Sequence, residues 1–359
     1  MKHQKVFLCV AAGLLLVLLP MGLQVFGNAW VRIADTALLY VLLAIGLNIV
    51  VGYAGLLDLG YVAFFAVGAY LYALMASPHL TQTFPALAAI FPNGLHTPLW
   101  LILPLAAAVA GLFGVLLGAP TLKLRGDYLA IVTLGFGEII RVFLNNLDHP
   151  VNITNGPKGL SGIDPFSFFG VSMGKPFAIG GFELSSVAMY YYLFLSLVLL
   201  SILMSHRLAD SRVGRAWMAI REDEIAAKAM GIHTRNLKLL AFGMGASFGG
   251  VSGALFASFQ RFVSPESFTL MESVMIVAMV VLGGLGHLPG VVLGALLLAA
   301  LPEVLRYVAS PLQDFSGGRL DASILRQLLI ALAMIVVMLL RPRGLWPSPE
   351  RGKSLASRL

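Results

Sequence analysis

Hydrophobic residues along this chain form long uninterrupted runs separated by short polar segments. A helix needs roughly 20 apolar residues to cross the hydrocarbon core of a bilayer, and several of these runs are shorter than that. The pattern therefore predicts an all-α polytopic membrane protein with about ten transmembrane helices, or eight to ten if some runs are re-entrant. The ten runs are Val6–Phe26, Thr36–Val51, Leu59–Ala76, Leu99–Gly118, Tyr128–Asn145, Met189–Ser205, Leu239–Phe259, Ser273–Leu285, Val291–Val308 and Ile324–Leu340.

Composition agrees with this class. The chain is 58% hydrophobic and 11% charged, whereas soluble domains have roughly 25% charged residues. The net charge of +7 comes from cations that flank the apolar runs, without a basic patch interleaved with aromatic residues. We therefore expect contact with membrane lipid and no nucleic-acid partner. A single cysteine, Cys9, excludes an intramolecular disulfide and a cysteine-based metal site.

The first apolar run resembles a signal peptide, since Lys2 and Lys5 precede it and Pro20 interrupts it. Its apolar character nevertheless continues to Phe26 without a small-x-small cleavage site, which favours a retained anchor helix over a cleaved signal peptide. We predict three regions: an anchor at 1–35, a core at 36–345 and a tail at 346–359.

Lysine and arginine are distributed unevenly between the two sides that ten crossings would create. One side holds 15 of the 24, in groups at 2–5, 123–125, 207–235 and 341–358. Because cytoplasmic loops carry the excess of these residues, we place this side, with both termini, in the cytoplasm.

The segment 207–238 is the one long charged stretch between apolar runs, with eleven charged residues. A charge in mid-bilayer is too costly for this segment to lie in hydrocarbon, so it lies in water. Within it, Glu224–Gly231 has the pattern of a short amphipathic helix closed by glycine. A structured cytoplasmic element of this kind is suited to binding a soluble partner.

Two glycine-rich stretches, Gly52–Gly60 and Gly283–Gly290, interrupt apolar sequence early and late in the chain. Interruptions at corresponding places of two halves can mark an inverted repeat around a transport path. We therefore predict a path near these breaks, where unwound backbone needs protein or water around it, with no tight small-molecule site in the chain itself. The residues assigned to the path are Gly55, Asp58, Gly60, Glu138, Gly283 and Gly286.

Other ionisable residues also fall in or beside apolar runs, including Glu272. Glu138 with Arg141 and Glu303 with Arg306 have i, i+3 spacing, so each pair lies on one helix face and can neutralise itself. Structural pairing and a role in a path both remain open. Asp58 has no local partner, and it either accepts hydrogen bonds from freed backbone or serves the path.

Small residues repeat every four positions at Gly245, Gly249 and Gly253, and a looser series covers Gly111, Gly114 and Gly118. Such stripes let helix backbones approach closely in lipid. We expect tight packing, against this chain or a second subunit. The long outer loop 146–186 is either a small ordered cap or a simple solvated connection.

Motifs of common enzyme sites are absent from the sequence. There is no G-x-x-x-x-G-K-[ST] nucleotide loop and no H-E-x-x-H zinc helix. The serine of Gly245-Ala246-Ser247-Phe248-Gly249 lies in the middle of an apolar run, which is not the strand-to-helix turn of a nucleophile elbow. We therefore predict a protein without its own catalytic or metal site and without a bound cofactor.

Several motifs resemble one family. Glu224-Ile225-Ala226-Ala227 followed by Gly231 is similar to the EAA loop of bacterial ABC importer permeases. The longer stretches listed next resemble the larger of the two permease subunits of branched-chain amino acid importers: Arg212–Gly231, Gly52–Gly60, Leu124–Gly135, Asn155–Leu160 and Gly283–Gly290.

The resemblance implies an ABC importer permease fold in a bacterial inner membrane, importing leucine, isoleucine and valine. It implies a second permease as heterodimer partner, two ATP-binding subunits that use ATP and Mg, and a periplasmic binding protein. One helix, Arg215–Gly231, would dock on an ATP-binding subunit. The residues expected to couple the two are Arg215, Arg221, Glu224, Ala226, Ala227 and Gly231.

Two rival classes remain open from the residues. An ion-driven secondary amino acid transporter would use Asp58 or Glu138 as its proton or sodium site. An intramembrane enzyme would need a catalytic constellation that the sequence does not offer.

Overall fold

The structure is a computed structural model that describes residues 2–25, 27–92, 94–121, 124, 126–168, 171–179, 182–315, 322–341 and 344–346. The predicted cytoplasmic cations Lys123 and Arg125 lie outside the described residues, as does the predicted tail beyond Trp346.

Helices dominate the described chain, and each of the ten predicted apolar runs coincides with one of them. The helices are α1 Lys2–Val25, α2 Asn28–Leu47, α3 Val62–Met75, α4 His79–Thr83, α5 Pro85–Ile90, α6 Leu99–Thr121, α7 Asp127–Asn146, α8 Ser186–Ala209, α9 Arg212–Glu222, α10 Glu224–Ala229, α11 Thr234–Gln260, α12 Leu270–Gly283, α13 Leu288–Phe315 and α14 Ala322–Leu340. A π-helix, Asn48–Tyr53, extends α2, and Gly156–Lys158 and Pro265–Ser267 are short 3-10 turns.

By length and composition, six helical stretches of the described chain can cross a membrane, and Gly13–Val25, Val62–Met75 and Ile330–Leu340 are shorter apolar helices. Helix α7 is more amphipathic, since it carries Asp127, Glu138 and Arg141. The chain is therefore a multi-pass, all-helical membrane protein, as predicted.

Helix α2 begins at Asn28, eight residues before the apolar run predicted from Thr36, so the boundary drawn at 35/36 falls inside a helix. The charged residues Arg32 and Asp35 lower the local hydropathy, so the predicted apolar run began after them. In the structure Asp35 is completely buried, because α8, α11 and α13 pack around α2. Burial by neighbouring helices depends on tertiary structure, and the local hydropathy of the sequence does not predict it.

Helix α11 is the centre of the bundle and packs most extensively on α6 and α3. The predicted glycine stripe lies against helices of this same chain. A Cβ on Gly245 would lie 2.3 Å from Cγ2 of Val50, and one on Gly253 would lie 2.0 Å from the carbonyl oxygen of Phe65. Only glycine allows these backbone approaches, which is the packing device common between helices in lipid.

A second face of α11 receives α6. A Cβ on Gly114 would lie 2.5 Å from Cβ of Ala246, and a Cβ on Gly250 would lie 2.5 Å from the carbonyl oxygen of Ala106. Small residues on both helices therefore interlock, which explains the looser stripe at Gly111, Gly114 and Gly118.

The long outer loop forms an ordered cap. Its strands are β1 Leu160–Ser161, β2 Ser167–Phe168, β3 Val171–Ser172, β4 Phe177–Ile179 and β5 Phe182–Leu184, and β6 Phe262–Val263 follows α11. Strand β1 pairs antiparallel with β6, β2 with β3, and β4 with β5. The hydroxyl of Tyr72 donates to the carbonyl of Asp164 over 2.9 Å. These bonds join the loop to the ends of α3 and α11.

Replacing Gly249 with leucine tests this packing. The position leaves 3.0 Å between an added Cβ and Cβ of Phe64, so Gly249→Leu should destabilise the protein by about 1–3 kcal/mol through overpacking. Thermal unfolding in detergent measures the effect. Gly135→Leu on α7 is the control, since nothing lies within 4 Å of a Cβ there. An unchanged melting temperature for Gly249→Leu would contradict the packing.

Candidate functional site

The two glycine-rich interruptions lie against each other. The chain is non-helical at 54–61, between the π-helix and α3, and again at 284–287, between α12 and α13. Oδ1 of Asn48 accepts the backbone N–H of Gly286 at 2.9 Å. A buried asparagine therefore joins two breaks that are more than 200 residues apart in sequence.

The charged segment 207–238, called the coupling segment below, contacts both interruptions at this place. A guanidinium nitrogen of Arg221, on α9, donates to the carbonyl oxygen of Gly52. Gly286 has φ +77°, and a Cβ there would lie 3.0 Å from that carbonyl oxygen and 2.9 Å from Nη1 of Arg221. Glycine is thus required at 286 by conformation and by space. Gly52, Gly286 and Arg221 form a three-way junction, which we call the junction.

Side chains from two helices, α7 and α12, bond to the backbone of the first break, and one side chain of the break bonds to α11. The N–H of Leu59 donates to Oγ1 of Thr133 over 3.0 Å, and its carbonyl accepts from Oγ of Ser273 over 2.6 Å. The hydroxyl of Tyr61 donates to the carbonyl of Gly245 over 2.9 Å. Such partners are required where backbone unwinds at membrane depth.

Asp58, the acidic residue that the sequence places in this break, is completely buried. Its Oδ1 accepts the N–H of Gly60 at 2.9 Å, while Oδ2 has no hydrogen-bond partner within the described part of the chain. The backbone-accepting role is thus present on one oxygen. Gly60 itself lies so close to α7 that a Cβ would be 1.9 Å from the carbonyl oxygen of Thr133.

Glu138 forms the predicted ion pair, with its Oε2 at 2.9 Å from Nη2 of Arg141. Nη1 of Arg141 also lies 3.7 Å from Glu266. This pairing links α7 to the segment that precedes α12. The side chain of Arg306, the predicted partner of Glu303, lies outside what the structure describes.

The prediction of one continuous helix over Arg215–Gly231 is wrong. Asp223 has φ −153° and ψ 111° and separates α9 from α10. Its carboxylate accepts the N–H groups of Ile225 and Ala226 at 2.8 and 3.1 Å. Asp223 therefore caps a new helix, and α10 ends near Gly231, whose φ of +85° suits a helix C-terminus.

Both short helices are held to α11. Trp217 is completely buried, and its Nε1 donates to the carbonyl of Leu237 over 2.7 Å. Nζ of Lys238 lies 2.7 Å from Oε2 of Glu224, with the lysine side chain 8% exposed and the glutamate side chain 30% exposed. The segment is therefore attached at two points to the helix at the centre of the bundle.

A cavity of about 350 Å³ opens between this segment and the first break. Arg221, Glu224 and Lys238 line it, together with Gly55 and Asp127. The charged side chains make this a hydrated rather than an apolar space.

The opposite face of α10 has no partner among the described residues. Ile225 is 69% exposed and Met230 is 83% exposed. Of the six residues predicted to couple, Arg221, Glu224 and Ala227 face inward, while Arg215, Ala226 and Gly231 are exposed. The sequence placed all six in one group, and the structure divides them between an anchoring face and a free face.

Sequence reasoning missed the residues that join the breaks, namely Asn48, Thr133 and Ser273. A signal was available for Asn48, since an asparagine within an apolar run, four residues before Gly52, needs a hydrogen-bond partner. Thr133 and Ser273 carry no comparable signal, because hydroxyl groups in helices commonly bond to their own backbone.

Comparison with known proteins gives one consistent result. Residues 29–339 match the family model described as branched-chain amino acid transport system, permease component. The chain is 41% identical over 356 residues to the Escherichia coli high-affinity branched-chain amino acid transport system permease protein LivM, covering 96% of this chain and 75% of that protein.

More distant relatives include both permease types. A probable LivM of Methanocaldococcus jannaschii is 27% identical and covers 86% of this chain and 90% of that protein. The Salmonella typhimurium permease LivH is 26% identical, covering 87% of this chain and 92% of LivH. No solved structure matches the chain.

Removing the lysine of the ion pair tests how the coupling segment is held. Lys238→Met keeps the aliphatic stem but leaves the Glu224 carboxylate unpaired. We expect a loss of about 1 kcal/mol in local stability, less than for a broken pair that is wholly buried, because Glu224 is partly exposed. Hydrogen exchange of amides 224–231 should become about fivefold faster. The control is Lys228→Met, an exposed lysine of α10; equal exchange in both variants would contradict the anchoring role.

Proposed function

Because the chain belongs to the family of branched-chain amino acid transport permeases, we propose that it is the larger permease subunit of an ATP-driven importer of leucine, isoleucine and valine. The observation that carries the coupling part of this proposal is the junction, where Arg221 of the cytoplasmic segment binds the carbonyl of Gly52 beside Gly286.

The assembly in this proposal is the one that the resemblance to the permease family implies. Two ATP-binding subunits that hydrolyse ATP with Mg supply the energy for transport, which agrees with a sequence that has no nucleotide-binding loop. A second permease completes the membrane path, and a periplasmic binding protein delivers the amino acid. The chain lies in a bacterial inner membrane with both termini in the cytoplasm, and it binds no cofactor of its own.

Helix α10 is the docking element of this proposal. Its exposed face offers Ile225 and Met230, two large apolar side chains that are costly to leave in water. Its inner face is fixed to α11 through Glu224 and Lys238. A partner that binds the outer face can therefore move α10 without pulling it from the bundle.

The same movement would reach the path through Arg221. This side chain is on α9, directly before the Asp223 cap of α10. Displacing α9 changes the bond between Arg221 and the Gly52 carbonyl, which holds the two breaks together with Asn48. In this mechanism, ATP-driven movement of a partner opens or closes the path at the two breaks, near Gly55, Asp58, Gly60 and Gly283.

Reconstitution tests the function. The complex with its partner subunits, in proteoliposomes with ATP enclosed beside the ATP-binding subunits, should accumulate leucine only with the binding protein and ATP. An uncoupler should leave uptake unchanged. Uptake that an uncoupler abolishes while ATP remains would instead establish an ion-driven carrier.

The same preparation tests docking. Ile225→Asp combined with Met230→Asp should weaken association with the ATP-binding subunits at least tenfold, about the cost of losing one apolar hot spot. Asn236→Asp is the matched control, since it adds negative charge at another exposed position of the segment. Unchanged co-purification of the double variant would contradict docking on α10.

The junction predicts a distinct phenotype for Arg221→Gln. The variant should retain assembly and ATP hydrolysis but lose most uptake, because the docking face is intact while its bond to the break is gone. The two activities are measured together in proteoliposomes. Arg212→Gln is the control, since this arginine is exposed on the same helix α9 and is not among the residues expected to couple.

State-dependent access provides the second readout. In a Cys9→Ser background, cysteines placed at the non-glycine positions within 55–60 and 283–290 should react with water-soluble thiol reagents at rates that change with ATP. Arg221→Gln should abolish that change. Wild-type uptake by the variant, or uniform protection in every state, would contradict the proposed path.

A further inference from the structure

We propose that a cavity beneath the outer cap is a transient binding site for the zwitterionic amino acid on its way to the breaks. The cavity measures about 240 Å³ and lies among α2, α3, α11 and the start of α12. Pockets for drug-sized ligands have roughly 300–1,000 Å³, so this one suits a smaller molecule. The inference rests on the proposed function, because it names a stopping point on that path.

The position of the cavity fits such a role. Phe65, in the first turn of α3, lines it, and that turn directly follows the first break. Gln260 and Ser267 line it as well, and they flank β6, the strand that pairs with the cap. The cavity therefore extends from the cap toward the first break.

Its wall is apolar and largely aromatic. Phe65 and Phe256 lie with ring centroids 5.2 Å apart, and Phe259 and Leu39 complete this side. A branched aliphatic side chain would displace water from these surfaces, which contributes roughly 25 cal/mol per Å² of apolar area buried. A charged amino acid side chain would find no counter-charge on this wall.

Among the described residues that line the cavity, one carries a negative charge, Glu272. The hydroxyl of Tyr40 donates to Oε2 of Glu272 over 2.9 Å. Within the described part of the chain no ion pair involves Glu272, although Glu266, six residues earlier, lies 3.7 Å from Arg141. A carboxylate has room for further donors beside one hydroxyl, and an α-ammonium group supplies three N–H donors and the missing positive charge.

Gln260 lines the same cavity as Glu272 and supplies donors for an α-carboxylate. Nη2 of Arg32 donates to Oε1 of Gln260 over 2.6 Å. Because arginine has only donors, this bond fixes which amide atom is oxygen and leaves the Gln260 amide N–H groups to donate elsewhere. The guanidinium of Arg32 also lies over the Phe259 ring, 5.4 Å from its centroid. Arg32 is therefore a positioning residue at the rim, and Gln260 is the contact residue.

The test uses the complete complex in nanodiscs without the binding protein. A Ser267→Cys change in the Cys9→Ser background places one thiol in the cavity, and an impermeant maleimide reads its accessibility. Millimolar L-leucine should slow labelling several-fold, whereas 4-methylpentanoate, which lacks the ammonium group, should not. A Val151→Cys thiol, at an exposed position of the outer loop, should label at the same rate with and without leucine.

Glu272→Gln then removes the charge while keeping an oxygen for Tyr40. It should abolish leucine protection of the thiol and raise KM for uptake about tenfold or more, the scale of a lost hydrogen bond to a charged group. Glu266→Gln is the matched control and should change neither. If Glu272→Gln does not assemble, protection in the parent background still decides the question.

The outcomes separate this proposal from the proposed function. If leucine and 4-methylpentanoate protect the thiol equally, the cavity binds the apolar chain without recognising the ammonium group. That result would overturn the proposed zwitterion site. Absence of protection by leucine, with ATP-driven leucine uptake intact, would remove the cavity from the path while leaving the function in place. A parent complex that does not import leucine would overturn the function itself.

Discussion

A backbone N–H or C=O group without a partner costs several kcal/mol in hydrocarbon, and this cost constrains every part of the chain where a helix is interrupted. Two interruptions occur in the described chain, at 54–61 and 284–287. Their polar groups bond to Thr133, Ser273 and Asn48 on three different helices. The bundle is arranged around the need to supply these partners.

Glycine is dense along α11 because this helix packs closely on α2, α3 and α6. Gly245 and Gly253 permit close approach on one side of α11, and Gly250 permits it on the other. The hydroxyl of Tyr61, at the end of the first break, donates to the carbonyl of Gly245, so this break also bonds to the closely packed helix.

The junction also connects the glycine-rich stretch Gly52–Gly60 with the charged segment 207–238. Arg221 supplies a charge-assisted hydrogen bond to the Gly52 carbonyl, and such bonds are roughly twice as strong as neutral ones. Arg221 belongs to the segment that exposes Ile225 and Met230, so this bond links that surface to the glycine-rich stretch. The cavity lined by Tyr40 and Glu272 lies along α2 and α12, the two helices whose C-terminal ends lead toward the breaks.

The sequence by itself determined the class of the protein, the approximate positions of its long apolar helices, and the charged segment that leaves the membrane. These features depend on local hydropathy and charge, which each stretch carries alone. Tertiary structure decided the helix break at Asp223, the early start of α2 at Asn28, the bond from Asn48 to Gly286 and the grouping of Glu272 with Gln260 at one cavity. Each depends on which distant residues become neighbours. The hydrogen-bond partner of a polar group in a helical bundle is determined by how the helices pack, and local sequence does not specify that packing.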